Sequence, residues 1–268
     1  MQKTILITGS TDGIGKLLAI KLAKEGHKVC IHGRTPAKVQ SLLTKLQQTT
    51  NNKSLKAFTA DFSDLAQVKA MAIQAKAQLS HIDVLINNAG VFHSPNLLNK
   101  DGLDMRIVVN YLAPYLLTNE LLPLLHNATE ARIINLSSAA QASVSHQVLT
   151  GQSQAIYNHT YAQSKLALTM WSFQLSRQLP DIAVVAVNPG SLLNTKMVQE
   201  AYGTSWAPAD KGADILHKLA LSYPPNAIDG KYFDNDRGTF NSAHPDAYNQ
   251  SKINALLQTT TQILQPHS

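Results

Sequence analysis

Short runs of consecutive apolar residues alternate along this chain with longer segments in which apolar residues recur every three or four positions. TILIT (4–8) is the first run. IGKLLAIKLAKEG (14–26) is the first periodic segment, with Ile14, Leu17, Leu18 and Leu22 on one helix face and Gly26 as a stop. KVCIHG (28–33) predicts a second strand. PAKVQSLLTKLQQ (36–48) predicts a second helix, with Pro36 at a first position where its missing N–H costs nothing. The polar patch QQTTNNKS (47–54) reads as a helix-to-strand loop. LKAFTAD (55–61) predicts strand three, and SDLAQVKAMAIQAKAQL (63–79) a helix capped by Ser63. IDVLINNAG (82–90) predicts strand four, and DGLDMRIVVNYLAPYLLTNELLPLL (101–125) a long helix kinked at Pro114. ARIINLSS (131–138), a helix over 154–178 and IAVVAVNPG (182–190) follow, and GKYF (230–233) adds a seventh strand.

Strands that alternate with helices imply parallel pairing through right-handed crossovers. Nearly unbroken Val, Ile, Leu and Ala in the strands fits burial on both faces. The expected fold is α/β: a doubly wound, mostly parallel sheet of about seven strands flanked by helices. Its ligands belong beyond the carboxyl ends of the strands. The distinctive polar motifs fall there.

Composition narrows the picture. The 268 residues are 44% hydrophobic and 15% charged, enough for a large core, and no linker, repeat or low-complexity tract divides them. One domain over 1–268 is expected. The formal charge of +6 is spread without a basic block, which argues against a nucleic-acid partner and leaves a mild field for a phosphorylated ligand. The single cysteine, Cys30, cannot form an internal disulfide, which suits a reducing, cytoplasmic setting. With the first strand beginning near residue 3, no signal peptide is expected, and no apolar run approaches a membrane span. The scattered histidines form no metal motif.

Strand one runs into TGSTDGIG, with Gly9, Ser10, Thr11, Asp12, Gly13, Ile14 and Gly15 between strand and helix. Glycines at such a turn let backbone approach a pyrophosphate, and a helix N-terminus favours its charge. The spacing is G-x-x-x-G-x-G, so the strand–turn–helix context carries the dinucleotide reading. About 20 residues on, an NAD site carries a carboxylate and an NADP site an arginine. Here Gly33 and Arg34 stand there, which favours NADP(H) over NAD(H), although Asp12 adds negative charge to the loop. Asp61, Phe62, Asn87, Ala89 and Gly90 close strands three and four beside that groove and are candidate cofactor contacts.

In AIYNHTYAQSKLAL (155–168), Tyr157, Tyr161 and Lys165 recur every four positions, on one helix face. Helical rise puts Lys165 about 6 Å beyond Tyr161, within reach of its long side chain. A free phenol titrates near 10, and an adjacent ammonium favours its ionised form. Such an acid–base group contributes roughly 10²–10⁴ in rate.

Together Thr8–Gly15, Asn87–Gly90, Asn110, Ser138 and Tyr161-x-x-x-Lys165 resemble the short-chain dehydrogenase/reductase family, in order along nearly the whole chain. VNYLAPYLLTNELLP and YAQSKLALTMW are most similar to its retinol dehydrogenase-like branch. The resemblance implies a Rossmann fold and the transfer of a hydride between a nicotinamide and a carbonyl or alcohol. It implies Tyr161 as acid/base, Ser138 (rather than Ser137) bonding the substrate oxygen, Lys165 on the nicotinamide ribose, and Asn110 in a proton relay. Pro189, Gly190 and Thr195 would hold the nicotinamide, Thr195 less securely because PGSLLNT carries one extra residue. A homodimer or homotetramer is implied, although monomers also occur.

Ser138 and Tyr161 lie unusually far apart, so segment 139–156 is expected to rim the substrate site, with Tyr157 as a wall. Segment 191–208 offers Leu192, Leu193, Met197, Val198, Tyr202 and Trp206 as a lipophilic lining. The expected substrate is an apolar aldehyde or ketone. His146 and His159 read as surface residues. The rival reading is a non-catalytic NADP(H)-binding sensor or scaffold. Such a protein need not have kept all four of Asn110, Ser138, Tyr161 and Lys165.

Overall fold

The computed structural model describes residues 1–154 and 156–267, apart from the side chains of residues 201, 202 and 267. In chain order the elements are β1 (Thr4–Ile7), α1 (Gly13–Lys24), β2 (Lys28–Gly33), α2 (Pro36–Thr50), β3 (Leu55–Thr59), α3 (Leu65–Gln78) and β4 (Val84–Asn87). Next come α4 (Met105–Ile107), a π-helical turn (Val108–Leu112), α5 (Ala113–His126), β5 (Ala131–Leu136), α6 (His146–Leu149) and α7 (Tyr157–Gln178). The chain continues through β6 (Ile182–Asn188), α8 (Lys196–Tyr202), α9 (Asp210–Leu221), α10 (Pro225–Ile228), β7 (Lys231–Asp234), β8 (Thr239–Asn241) and α11 (Gln250–Leu264).

The sheet order is β3-β2-β1-β4-β5-β6-β7-β8. Every pair is parallel except β7 with β8, the hairpin strand that raises the expected seven to eight. The order reverses at β1, so β1 and β4 flank the crevice where such sheets bind ligands. Successive strand residues feed opposite cores. Ile5, Ile7, Val29, Ile31, Val84 and Ile86 pack with α1, α2 and α9. Leu6, Cys30 and Leu85 pack with α3, α5, α7 and α11. Burial on both faces is why these strands read as unbroken apolar runs.

Three expectations about the elements are corrected. Asp64, not Ser63, caps α3, accepting from Ala66 N at 3.1 Å, while Ser63 N bonds back to Asp61 at 2.9 Å. The predicted helix over 101–125 begins at Met105, and its break is a π turn at Val108–Leu112. Pro114 has no N–H for the carbonyl of Asn110, and the wider turn absorbs that missing bond. Helix α7 starts at Tyr157 rather than 154, and Ala155 lies outside the described residues. Helices α9 and α11 carry an apolar face each, but no chemical motif marks them in the sequence.

Candidate active site

At the β1 end, Thr8 ties the glycine turn to β4: its Oγ1 accepts from Asn88 N and Ala89 N, both at 3.0 Å. Asn88 Nδ2 donates to the carbonyls of Thr8 and Gly9 at 2.8 and 2.9 Å. The turn is so tight that a Cβ on Gly9 would lie 2.7 Å from Ala89 Cα, and Gly9 has φ +63°. Asp12 caps α1 by accepting from Gly13 N at 2.8 Å. The negative charge that weighed against a phosphate is thus spent on the helix terminus.

His32, which sequence reasoning passed over, holds this turn from beneath. Its Nδ1 accepts from Gly9 N at 3.1 Å, and its Nε2–H donates to the Ala60 carbonyl at 3.0 Å. The ring stacks on Phe62 with centroids 4.3 Å apart. Only 2% of His32 is exposed, and burial pulls its pKa down to about 4, so it stays neutral. Ser10 Oγ accepts from His32 N at 2.8 Å, joining turn and strand again. A histidine ending an apolar strand beside the glycine loop was the available signal.

These contacts place the expected cofactor residues. Gly13 faces Thr195, whose Cγ2 lies 3.5 Å from where a Cβ would stand, so the two flank one gap. The side chain of Thr11 sits against Gly33, where a Cβ would meet its methyl at 2.6 Å. Arg34 is exposed just past β2, with no hydrogen-bond or ion-pair partner among the described residues. Asp61 caps the loop after β3. The side chains of Phe62 and Asn87, two of the expected contacts, are enclosed. Phe62 backs His32, and Asn87 Nδ2 donates to Thr118 and Asn135 at 3.0 and 2.8 Å. The glycine-lined turn, the α1 terminus and the free guanidinium suit a dinucleotide carrying a phosphate.

At the β4–β5 end, Gly90 is a meeting point. A Cβ there would lie 3.3 Å from Asn110 Oδ1, 3.5 Å from Lys165 Nζ and 3.8 Å from Met197 Cε. Asn110 sits in the π turn. Its Oδ1 accepts from Val91 N at 2.8 Å, and its Nδ2 donates to Val91 O and Ser164 Oγ, each at 3.0 Å. Lys165 is 5% exposed, and its Nζ donates to the Leu136 carbonyl at 2.7 Å. Burial pulls its pKa down to about 8. Its Nζ stands 5.6 Å from the centre of the Tyr161 ring, and Phe92 packs on that ring at 4.9 Å.

The choice between the two serines follows from direction. Ser137 is buried, its hydroxyl bonded to the Lys165 carbonyl and to Thr169 at 3.1 and 2.7 Å. Ser138 is half-buried, and its Oγ accepts from Ala140 N at 3.1 Å. Its hydroxyl proton remains available to a ligand. The 188–190 turn is fixed by Asn188, whose Oδ1 accepts from Gly190 N at 3.2 Å, and Asn235 Nδ2 donates to Pro189 O at 2.8 Å.

The substrate segments divide. In 139–156, Val148 and Leu149 enter the core and residues 143–149 turn toward α11, where His146 meets Thr259 at 3.2 Å. His159 is exposed, its Nδ1 2.8 Å from Gln163 Nε2. In 191–208, Leu193 packs inward against Gly190 and Gly212, and Trp206 is 80% exposed. Neither therefore lines a closed pocket. Met197 does reach the site, and the Tyr202 side chain lies outside the described residues.

Comparison with known proteins agrees with this geometry. Residues 3–205 match the family model described as short chain dehydrogenase. The chain belongs to the short-chain dehydrogenase family. It is 35% identical to retinol dehydrogenase 13 of Homo sapiens over 87% of this chain and 76% of that protein. It is 30% identical to retinol dehydrogenase 12 of Bos taurus, over 98% and 86%. The NADPH-bound carbonyl reductase from chicken fatty liver superposes with a TM-score of 0.70 at 27% identity, over 90% of this chain and 99% of that one. This short-chain dehydrogenase falls in the retinol dehydrogenase-like branch and is an oxidoreductase acting on CH–OH and C=O groups. Among the described residues, no helix is long and apolar enough to cross a membrane.

Proposed function

We propose that this chain, as one dinucleotide-binding domain, is an NADP(H)-dependent oxidoreductase for lipophilic aldehydes or ketones and the matching alcohols. The observation that carries the reading is that Lys165 and Asn110 meet at Gly90, beside the glycine turn, with the Tyr161 ring centre 5.6 Å from Lys165 Nζ. Arg34, without a carboxylate at Gly33, supports NADP(H) over NAD(H). So does the NADPH named for the chicken reductase. The retinol in the relatives' names is a lipophilic alcohol, and Met197 and Phe92 give this site an apolar surround.

Bound NADP(H) would supply or take up the hydride at the substrate carbon. Gly9–Gly15, Arg34 and the Thr195 side of the gap would hold its phosphates and nicotinamide. In reduction, Tyr161 gives its hydroxyl proton to the carbonyl oxygen; in oxidation it takes that proton back. Ser138 donates a hydrogen bond to the same oxygen, which strengthens as the oxygen gains charge. Lys165, charged below about 8, stabilises the tyrosinate left behind. Asn110 holds the Val91 backbone and so the shape of the pocket beside Gly90.

A panel of small and lipophilic carbonyls with NADPH and NADH tests the reading, following oxidation of the reduced cofactor. NADPH-dependent reduction of a lipophilic carbonyl is expected. No turnover on the whole panel, with the cofactor still bound, would return the chain to a non-catalytic binding protein.

A further inference from the structure

Tyr157, one helical turn before Tyr161, rests on a buried ion pair that the functional reading does not use. Arg106 on α4 is 4% exposed, and its Nε and Nη2 donate to the two carboxylate oxygens of Asp104 at 2.8 and 2.6 Å. Asp104 also caps α4, accepting from Arg106 N at 2.8 Å, so the acid is fixed at its own helix terminus. The remaining guanidinium nitrogen, Nη1, is buried with no hydrogen-bond partner. The Tyr157 ring lies over this guanidinium, 4.5 Å from its central carbon.

From Tyr157 the aromatic contacts lead back to the reacting phenol. Its ring meets His93 at 5.0 Å, His93 meets Phe92 at 5.3 Å, and Phe92 meets Tyr161 at 4.9 Å. Two of these rings stand on α7 and two on the loop after β4. Tyr157 is 39% exposed and belongs to the first turn of its helix, where packing alone holds a side chain loosely. A flat, weakly hydrated cation beneath the ring face holds it in place.

We infer that Arg106, clamped by Asp104, is a positioning residue that fixes Tyr157 as a wall of the substrate entrance. Through that wall it sets the preference for bulky over small carbonyls. The inference rests on the proposed carbonyl reductase activity. Arginine is suited to the task because its fork spends two edges on the carboxylate and leaves its plane for the ring; a lysine offers no plane.

The test measures kcat and KM with NADPH for naphthaldehyde and propanal, in wild type, Arg106→Lys, Tyr157→Phe, Tyr157→Leu and the Arg106→Lys/Tyr157→Leu double variant. Arg106→Lys and Tyr157→Leu are each expected to lower the naphthaldehyde-to-propanal ratio of kcat/KM by about fivefold, through the KM of naphthaldehyde. Tyr157→Phe, which keeps the ring, should stay within about twofold of wild type. The double variant should be no worse than Tyr157→Leu alone, because both changes act through one ring. An unchanged or raised ratio in Arg106→Lys, additive losses, or an equal fall of kcat on both aldehydes overturns the inference. Should Arg106→Lys not fold, the tyrosine pair decides: equal ratios for Phe and Leu overturn it. Wild-type turnover with unmoved ratios defeats this inference alone, and no wild-type turnover on either aldehyde defeats it together with the functional reading.

Discussion

At the β1 end of the crevice, Gly15 is packed so closely that a Cβ would stand 2.4 Å from Asn88 Nδ2, and His32 is sealed beneath the turn. Past β6, by contrast, segment 191–208 carries Trp206 outward, 80% exposed, and holds to the molecule through a few bonds such as Ser191 N to Asp236 Oδ1. The first region is backbone pressed on backbone, with its polar groups paired internally. The second is loop and short helix with side chains turned to solvent. Under the proposed function, the rigid region would grip the constant cofactor and the looser one would admit substrate.

The largest expected effect lies at the phenol beside Lys165. Tyr161→Phe should lower kcat for carbonyl reduction by roughly 10²–10⁴. NADPH binding, followed by fluorescence titration, should survive. Wild-type turnover in this variant would remove Tyr161 from the chemistry.

The rigid region should also show itself in the acid range. His32 has its pKa pulled from 6.5 to about 4 in the folded protein, so the unfolded chain takes up the proton first as pH falls. Stability contributed by the neutral ring is therefore present above 6.5 and lost toward 4, by about 3 kcal/mol. Urea unfolding at neutral and acid pH should show a steeper loss of stability in wild type than in His32→Asn. Parallel slopes would mean that His32 is not held neutral by its burial.

Gly15→Ala should destabilise the protein by about 1–3 kcal/mol, because Asn88 and the Gly9 carbonyl must both move. Thermal melts measure it, and an unchanged melt would show that the turn is looser than its contacts. A smaller change is expected at the groove's edge. Arg34→Ala should lower the preference for NADPH over NADH by about tenfold, or ~1.4 kcal/mol, read as the ratio of kcat/KM values. A retained preference would shift that role elsewhere. The smallest effect is expected in the open region: Trp206→Ala should leave stability within about 0.5 kcal/mol. A larger loss would mean that segment 191–208 is as tightly built as the glycine turn.

Much of this contrast was legible in the chain. Strand runs such as KVCIHG and ARIINLSS fell within two residues of β2 and β5, because burial on both faces leaves no polar alternation to confuse the pattern. The glycine turn, Asn110, Ser138, Tyr161 and Lys165 were visible through spacing and resemblance. The π turn was not, because a proline inside an apolar helical pattern marks a disturbance without saying what form it takes. Nor was β8, whose few residues carry no run of their own.

What the sequence determined by itself was the order of strands and helices and the polar motifs at the strand ends. Both are local: a run, a turn or a helical face needs only a few neighbouring residues to declare itself. The tertiary structure decided which side of a strand end each polar group occupies. It turned Ser137 inward and left Ser138 open, sealed Phe62 and Asn87, and put His32 under Gly9. It also laid Tyr157 on Arg106. Those outcomes depend on which distant segment arrives at 3 Å, and only packing of the whole chain sets that distance.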